Sequence, residues 1–248
     1  MRTLLILASA LLLVACVARP LQDSLAAGDA ALPDLLLLGE QHDAPSHRYL
    51  QRRAIETLAA RGRLAAVALE MVEQGHSTAA LARDASEEIV RNALGWNGWD
   101  WPTYSQVVMA AVRAGVPVVG ANLPRSRMRE AMANSELDGL LAGPALKAQQ
   151  QAIRIGHCDL LPESQITPMT RVQIARDRAM AQVLEAAAKP GKTVVLVAGA
   201  GHVDPVLGVP RHLPAGLQLR AELLPPQPSS KDYCAEMRSQ MKRAAPAK

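Results

Sequence analysis

The chain has 248 residues, a formal net charge of +4 at pH 7, and 2% aromatic residues with no phenylalanine. That length allows one large domain with a sizeable core, which must be filled by leucine, valine, alanine and methionine. The charges are scattered along the chain and aromatic residues are few, so we do not expect nucleic-acid binding.

The N-terminus is typical of a secretory signal peptide that ends at a lipidation site. One positive charge precedes an uncharged run over residues 4–14, which is too short to span a bilayer as a helix, because that needs about 20 residues. Residues 13–16 resemble the bacterial lipobox, in which small residues precede a cysteine. We predict a signal peptide over residues 1–15, a lipid on Cys16 and a tether over residues 16–33. An ordinary signal peptide with an incidental cysteine is the alternative.

The lipid also predicts a location. Several acyl chains on one residue give stable membrane anchoring. The residue after Cys16 is Val17, whereas an aspartate there would resemble an inner-membrane retention signal. We therefore expect the protein to be lipid-anchored in the bacterial cell envelope, at the outer membrane.

Strand-like and helix-like segments alternate after the tether. Short apolar runs predict five strands, over residues 35–38, 65–69, 116–120, 193–198 and 217–223. Helices are predicted over residues 46–60, 76–94 (two short helices), 103–114, 125–156 (with breaks at 139 and 143–144) and 170–188. The alternation predicts an α/β fold with a mostly parallel sheet flanked by helices. The helical stretch between the third and fourth main strands is too long for a simple crossover, so we expect it to form a cap.

Two cysteines remain after the predicted lipidation site, Cys158 and Cys234. A secreted compartment is oxidising, so this even pair predicts one disulfide, with two separate free thiols as the alternative. The bridge would tie a polar tail over residues 225–248, which we expect to be loosely structured, to the α/β domain over residues 34–224.

Polar groups follow four of the predicted strands. They are Glu40 with His42, Glu70, Asn122, and His202 in the segment Gly199-Ala200-Gly201-His202. In an open parallel sheet the ligand site lies outside the carboxyl ends of the strands, so we expect these groups to share one cleft. Glutamate and histidine there can coordinate a metal or exchange protons. A lone histidine after a strand is usually an ordinary loop residue. Two histidines that each follow an apolar strand, His42 and His202, are what favour a functional site.

The helix over residues 170–188 adds two polar groups. Gln173 falls inside its apolar arc and Asp177 at the edge of that arc. Because buried polar groups need partners, we expect both to face the cleft. The alternative is that Asp177 pairs with Arg176 or Arg178 at the surface. His47, near the start of the first helix, is expected to line the mouth of the cleft.

Aromatic residues cluster in one segment: Trp96, Trp99, Trp101 and Tyr104 lie within nine residues. Aromatic side chains can stack on a flat ligand. The alternative is that the tryptophans only pack the cap against the sheet.

Taken together and in order, these motifs resemble the ChaN family of haem-binding lipoproteins, part of the wider Tiki-like group. The resemblance covers roughly residues 34–224. The matching segments are residues 39–43, 69–71, 96–104, 120–122, 156–158, 173–181, 199–203 and 208–210.

The resemblance implies a capped α/β domain that binds haem between two subunits, with a tyrosine as axial ligand, and that serves iron acquisition. An outer-membrane haem receptor is then an expected partner. Tyrosinate is a known haem iron ligand, and Tyr49 and Tyr104 are the candidates for direct contact with iron. The residues expected to line the haem site are Tyr49, Tyr104, His47, Asn122, Gln173 and Asp177.

The Tiki-like group also includes proteins thought to be metal-dependent hydrolases. Glu40, His42, Glu70 and His202 match the metal-binding positions of those proteins. The alternative function is therefore a hydrolase in which these four residues hold a divalent metal ion and Glu40 or Glu70 acts as general base. A non-catalytic envelope scaffold is the third hypothesis.

Overall fold

A computed structural model describes residues 21, 25, 32–141, 143–229 and 231–244. The predicted signal peptide, the predicted lipidation site at Cys16 and most of the predicted tether lie outside the described residues. Within these ranges, no helix combines the length and the apolar character needed to cross a membrane.

The described chain forms one sheet of five parallel strands. The strands are β1 (Leu35–Glu40), β2 (Leu64–Glu73), β3 (Val118–Asn122), β4 (Thr193–Gly199) and β5 (Leu219–Leu223). Their order in the sheet is β3-β2-β4-β1-β5, and every neighbouring pair is parallel. The predicted α/β fold with a mostly parallel sheet is therefore confirmed.

Seven α-helices lie within the described ranges. They are α1 (Pro45–Ala60), α2 (Glu87–Ala93), α3 (Trp101–Arg113), α4 (Met128–Ala133), α5 (Pro144–Gly156), α6 (Glu163–Ala187) and α7 (Tyr233–Ala244). The prediction of two helices within residues 76–94 is wrong, because only α2 forms there. Helix α6 begins at Glu163, earlier than predicted, with Pro168 inside it. Because a proline usually breaks a helix, Pro168 made the first turns of α6 unrecognisable in the sequence.

Helices cover both faces of the sheet because successive strand residues point to opposite sides. One core lies between the sheet and helices α1 and α3, and it contains Leu36, Leu38, Val67, Leu69, Ile55, Leu58, Val107 and Val108. The other lies between the sheet and α6, and it contains Leu35, Leu37, Ala66, Ala68, Met180 and Leu184. The interiors of β1 and β4 are therefore apolar, and every residue of both strands is buried.

The cap predicted between the third and fourth strands is present. It consists of α4, a 3₁₀ helix over Ser135–Leu140, and α5. Leu123, Leu137 and Leu141 pack with Val172 and Ile174 of α6 in a small core separate from the main ones. The cap thus stands beside the carboxyl end of the sheet, on the first half of α6.

The C-terminal tail is more ordered than expected. We predicted a loosely structured segment, but α7 forms within it and a disulfide joins Cys234 to Cys158 after α5. The Gln41 side chain donates to the carbonyl oxygen of Gln227 at 3.0 Å and accepts from the nitrogen of Gln227 at 3.1 Å. The polar composition that suggested a loose tail instead provides bonds to the loop after β1.

We expect Cys158→Ser to release the tail without unfolding the domain. Nearly every residue of α7 is exposed, so the disulfide is its main attachment among the described residues. A disulfide typically contributes about 2–4 kcal/mol, so amide protection across α7 should fall by roughly tenfold or more. Hydrogen exchange would measure this. Equal loss of protection in β1 and β4 would show instead that the bridge supports the whole domain.

Candidate functional site

Glu40 ends β1 and is the most enclosed group at the carboxyl edge of the sheet. Its carboxylate accepts hydrogen bonds from the Arg48 guanidinium and the Gln51 amide of α1. It also accepts from the Tyr104 hydroxyl at 2.6 Å and lies 2.7 Å from Nδ1 of His42. Because Arg48 supplies the opposite charge and the other donors fill the remaining positions, this buried carboxylate is fully satisfied.

Glu70 lies inside β2, since that strand continues to Glu73 rather than ending at residue 69. Its Oε1 accepts from Nη2 of Arg176 at 2.6 Å, and its Oε2 accepts from the backbone nitrogen of Gly199 at 2.6 Å. Burial alone would raise the pKa of the Glu70 carboxyl, but His202, Arg176 and His42 hold it well below the ordinary value. Glu70 is therefore an anion clamped between β4 and α6.

His202 follows β4 in the 3₁₀ turn Ala200–Val203 and is buried. Its Nδ1 lies 2.5 Å from Oδ1 of Asp177, and its Nε2 lies 3.4 Å from Oε1 of Glu70. The Gln173 amide nitrogen is 3.1 Å from the same Nδ1. Helix α6 thus brings Asp177 and Gln173 against His202, where Asp177 is fully buried. The alternative pairing of Asp177 with a neighbouring arginine is wrong.

The charge of His202 gives this network a pH dependence. Burial alone would lower the pKa of His202, but Glu70 and Asp177 flank the ring and raise the pKa to about 9. A folded-state pKa above the unfolded value of 6.5 stabilises the fold below pH 6.5, and that stability is lost as pH rises through about 9.

We therefore expect the free energy of unfolding to fall between pH 6.5 and pH 9, and to fall less in the His202→Asn variant. Urea titrations of both proteins across this range would measure the difference. Parallel pH profiles for the two proteins would contradict the assignment of an imidazolium to His202.

His42 connects the two carboxylates. With Nδ1 directed at Glu40, its Nε2 lies 3.9 Å from Oε2 of Glu70. The ring packs on Trp99 with 4.8 Å between centroids, and its side chain is 37% exposed. Burial lowers the pKa of His42 more than Glu70 raises it. The four residues predicted to converge, Glu40, His42, Glu70 and His202, therefore lie in one continuous network.

The network does not resemble a metal centre. Among the residues that the structure describes, no group of three or more His, Cys, Asp or Glu is arranged to hold a metal ion. Arg48 and Arg176 already pair with Glu40 and Glu70, so each of these carboxylates has a positive partner without a metal ion. The donor set predicted for a divalent metal thus does not fit one in this conformation.

The two candidate tyrosines lie in different surroundings. Tyr104 of α3 is buried, donates its hydroxyl proton to Glu40, and has its pKa raised by burial. Tyr49 of α1 is 56% exposed, and the Arg52 guanidinium lies 6.0 Å from its ring centroid. The structure does not bring these two side chains together.

His47 and Asn122 serve the backbone around the site. Nδ1 of His47 accepts from the nitrogen of Gln41 at 3.0 Å, and Nε2 donates to the carbonyl oxygen of Pro225 at 2.9 Å. His47 is fully buried and does not line the mouth of the cleft, which corrects that expectation. The Asn122 amide donates to the Glu70 carbonyl oxygen and accepts from Nε of Arg176, both at 2.9 Å.

Sequence reasoning missed three members of the network: Arg48, Gln51 and Arg176. Arg48 and Gln51 occupy the same face of α1, one turn apart, and both reach Glu40. A buried carboxylate after a strand needs a cation, and this requirement was the available signal for both arginines.

An open pocket of about 390 Å³ adjoins the network at the ends of β2 and β3. Its apolar walls include Met71, Trp99 and Met128, and its polar groups include His76, Arg125 and Arg176. A second cavity of about 420 Å³ lies lower on the sheet, lined mainly by small side chains such as Ala65 and Ala186. His76 borders that second cavity too, but no tryptophan, tyrosine or arginine lines it, so we take the pocket beside Trp99 as the candidate ligand site.

Comparisons with known proteins agree with this architecture. A family model described as "Haem-binding uptake, Tiki superfamily, ChaN" matches residues 26–213. The chain is similar to ChaN of Campylobacter jejuni, whose structure is described as showing cofacial haem binding. The two chains are 26% identical, the match covers 76% of this chain and 80% of that chain, and the TM-score is 0.64. The type III effector HopBA1 is 20% identical over 68% of this chain and 67% of that chain, with a TM-score of 0.37, which supports no argument. No curated protein matches the chain.

Proposed function

Because the chain belongs to the ChaN haem-binding uptake family of the Tiki superfamily, we propose that it binds haem in the open pocket beside Trp99. This proposal rests mainly on the residues that line the pocket. A volume of about 390 Å³ falls within the range of roughly 300–1,000 Å³ typical of small-molecule sites. Trp99, Met71 and Met128 offer aromatic and thioether surface to a flat apolar ring.

Arg125 suits the two carboxylates that haem carries. Its side chain is 69% exposed at the pocket, and its Nε lies 3.9 Å from Glu73, too far for a direct hydrogen bond. A guanidinium in that position can turn to a propionate and donate two parallel hydrogen bonds. Arg176 adds positive charge deeper in the pocket but is already bound to Glu70.

His76 is the imidazole that the pocket offers to iron. It is exposed, and its ring forms no hydrogen bond with another described residue. Imidazole is a common axial ligand of haem. Tyr104 is committed to Glu40, and Tyr49 is not among the side chains that line the pocket. We therefore propose His76 rather than a tyrosine as the protein ligand.

The buried network has a supporting role in this proposal. Glu70 and Asn122 hold the guanidinium of Arg176, and His42 holds one side of Trp99. These contacts fix the floor and one wall of the pocket before any ligand arrives. Pre-arranged walls reduce the ordering that binding requires.

We further propose that the protein is a lipoprotein, anchored through Cys16 at the outer membrane, that serves haem iron acquisition together with an outer-membrane haem receptor. The Cys158–Cys234 disulfide supports an oxidising compartment. We also propose that a second copy of the chain would meet the haem at the open side of the pocket. Mass spectrometry of the N-terminal peptide from membranes tests the anchor, since an unmodified Cys16 would contradict it.

A hemin titration tests the main proposal. We expect a saturable change in Soret absorbance and quenching of tryptophan fluorescence, because Trp99 lines the pocket. Arg125→Ala should weaken hemin binding by roughly tenfold, the equivalent of about 1.4 kcal/mol for a charge-assisted contact. Arg129→Ala removes an exposed arginine outside the pocket lining and should leave the affinity unchanged. The absence of saturable binding would overturn the proposal.

His76→Ala tests the ligand separately. We expect hemin still to bind, through the walls and Arg125, but with a shifted Soret maximum that added imidazole moves back toward the original position. Met71→Leu and Met128→Leu test the thioethers as alternatives. Binding with an unchanged spectrum in His76→Ala would reject His76 as ligand and leave haem binding intact.

A further inference from the structure

The two edges of the sheet differ in what covers them. The outer edge of β3 is covered by the segment after β2, since Thr78 donates to the carbonyl oxygen of Val118 and Gly120 donates to that of His76, both at 2.9 Å. No strand of the described chain pairs with the outer edge of β5. Two leucines of β5 are exposed, Leu219 at 37% and Leu223 at 64%. Natural proteins usually protect such an edge, because it invites pairing with another chain.

The hydrogen bonds of β5 show which residues face outward. Leu35 donates to the carbonyl oxygen of Gln218 at 3.1 Å, and Leu224 donates to that of Gly39 at 2.9 Å. Backbone groups alternate in direction along a strand. The even-numbered residues of this segment therefore bond to β1, and residues 219, 221 and 223 present their N–H and C=O groups to the open edge.

The sequence of β5 is complementary to itself about its middle residue. It reads Leu219-Arg220-Ala221-Glu222-Leu223, so reversing the strand places leucine opposite leucine and arginine opposite glutamate. We propose that β5 pairs antiparallel with β5 of a second copy of this chain, with a two-fold axis at Ala221. The two five-stranded sheets then form one continuous sheet of ten strands.

Register, backbone groups and side chains all agree in this arrangement. Residues 219, 221 and 223, which face outward, become the hydrogen-bonded pairs of an antiparallel ladder. Arg220 of one copy lies opposite Glu222 of the other in the closer, non-hydrogen-bonded pairs. Within one chain Arg220 and Glu222 already pair with each other. In the dimer, two ion pairs between the copies replace these two pairs within the copies. On the opposite face of the strand, Leu219 of each copy lies beside Leu223 of the other, and both side chains become shielded from water.

The proposed dimer does not depend on the proposed function. The pocket lies at β2 and β3, whereas β5 is at the opposite edge of the sheet. A dimer built around haem should require hemin, but the β5 dimer should form without it. One short strand makes a small interface, so we expect association in the micromolar range.

Cysteine crosslinking of the full chain tests the arrangement. Ala221→Cys places two thiols next to each other across the two-fold axis, so we expect a covalent dimer on a non-reducing gel without hemin. Ser77→Cys, in the segment that covers β3, is the matched control at the other edge and should stay monomeric. Equal crosslinking of the two variants, or none in Ala221→Cys, would overturn the proposal.

Charge reversal in the Ala221→Cys background tests the register. Arg220→Glu faces Glu222 of the second copy and should lower the crosslinking yield about fivefold. Adding Glu222→Arg restores opposite charges across the axis and should restore the yield. An unchanged yield in the single reversal, or no recovery in the double, would reject this register.

Discussion

Arg48→Met is expected to destabilise the fold by roughly 3–5 kcal/mol, because it leaves the buried Glu40 carboxylate without a cation. Glu40 has no exposed side-chain surface, and the Arg48 guanidinium is its charged hydrogen-bond donor. Gln51 and Tyr104 remain as neutral donors, but neutral donors do not offset the free energy of burying a charge. Urea unfolding would measure the change.

Two controls separate the charge effect from the loss of packing. Adding Glu40→Leu to Arg48→Met removes the orphaned charge and should recover much of the lost stability. Arg53→Met changes an arginine of the same helix that is half exposed and pairs only at the surface, and it should shift stability by about 0.5 kcal/mol or less. Equal effects of Arg48→Met and Arg53→Met would mean that Glu40 is not a buried anion.

Gly120→Ala is the second substitution with a large expected effect. A Cβ at Gly120 would lie 1.9 Å from the backbone oxygen of Glu73 and 2.7 Å from its carbonyl carbon. The obstacle is backbone within the sheet, so β2 and β3 must separate. Overpacking typically destabilises by about 1–3 kcal/mol, and we expect at least the upper end of that range here.

The strain from Gly120→Ala should also reach the site. The pairing of β2 with β3 shifts register between Leu69 and Glu73, and Glu70 lies within this interval. We therefore expect weaker hemin binding together with a lower melting temperature. Gly139→Ala, where no atom lies within 4 Å of the added Cβ, is the matched control and should leave both unchanged. A melting temperature of Gly120→Ala that matches the Gly139→Ala value would contradict this view.

The sheet could be predicted from sequence because its central strands are buried on both faces. Runs such as Leu35–Leu38 show no helical periodicity that could compete with a strand. Because ligand groups of a parallel sheet gather at the carboxyl ends of its strands, we could also predict that His42 and His202 lie close together although 160 residues separate them. Helix α6 also gave a usable signal, since Asp177 interrupts an apolar arc and is buried against His202.

Other features depend on contacts that no local pattern contains. In the sequence, Arg48 and Arg176 look like ordinary surface arginines. Only the folded structure shows that each pairs with a buried carboxylate, Arg48 with Glu40 and Arg176 with Glu70. His76 and Arg125 are separated by 49 residues and line one pocket because β2 and β3 are neighbours. The tail appeared loose because its bonds to Gln41 and Cys158 depend on distant partners.

If haem lies in the pocket between Trp99 and Met128, its iron must be found there. Anomalous diffraction at the iron edge from crystals of the hemin-loaded protein would locate the metal without assumptions about the ligand. We predict one iron peak per chain in that pocket, within bonding distance of the His76 ring. A peak beside Tyr49 on the outer face of α1, or none near the pocket, would contradict the claim.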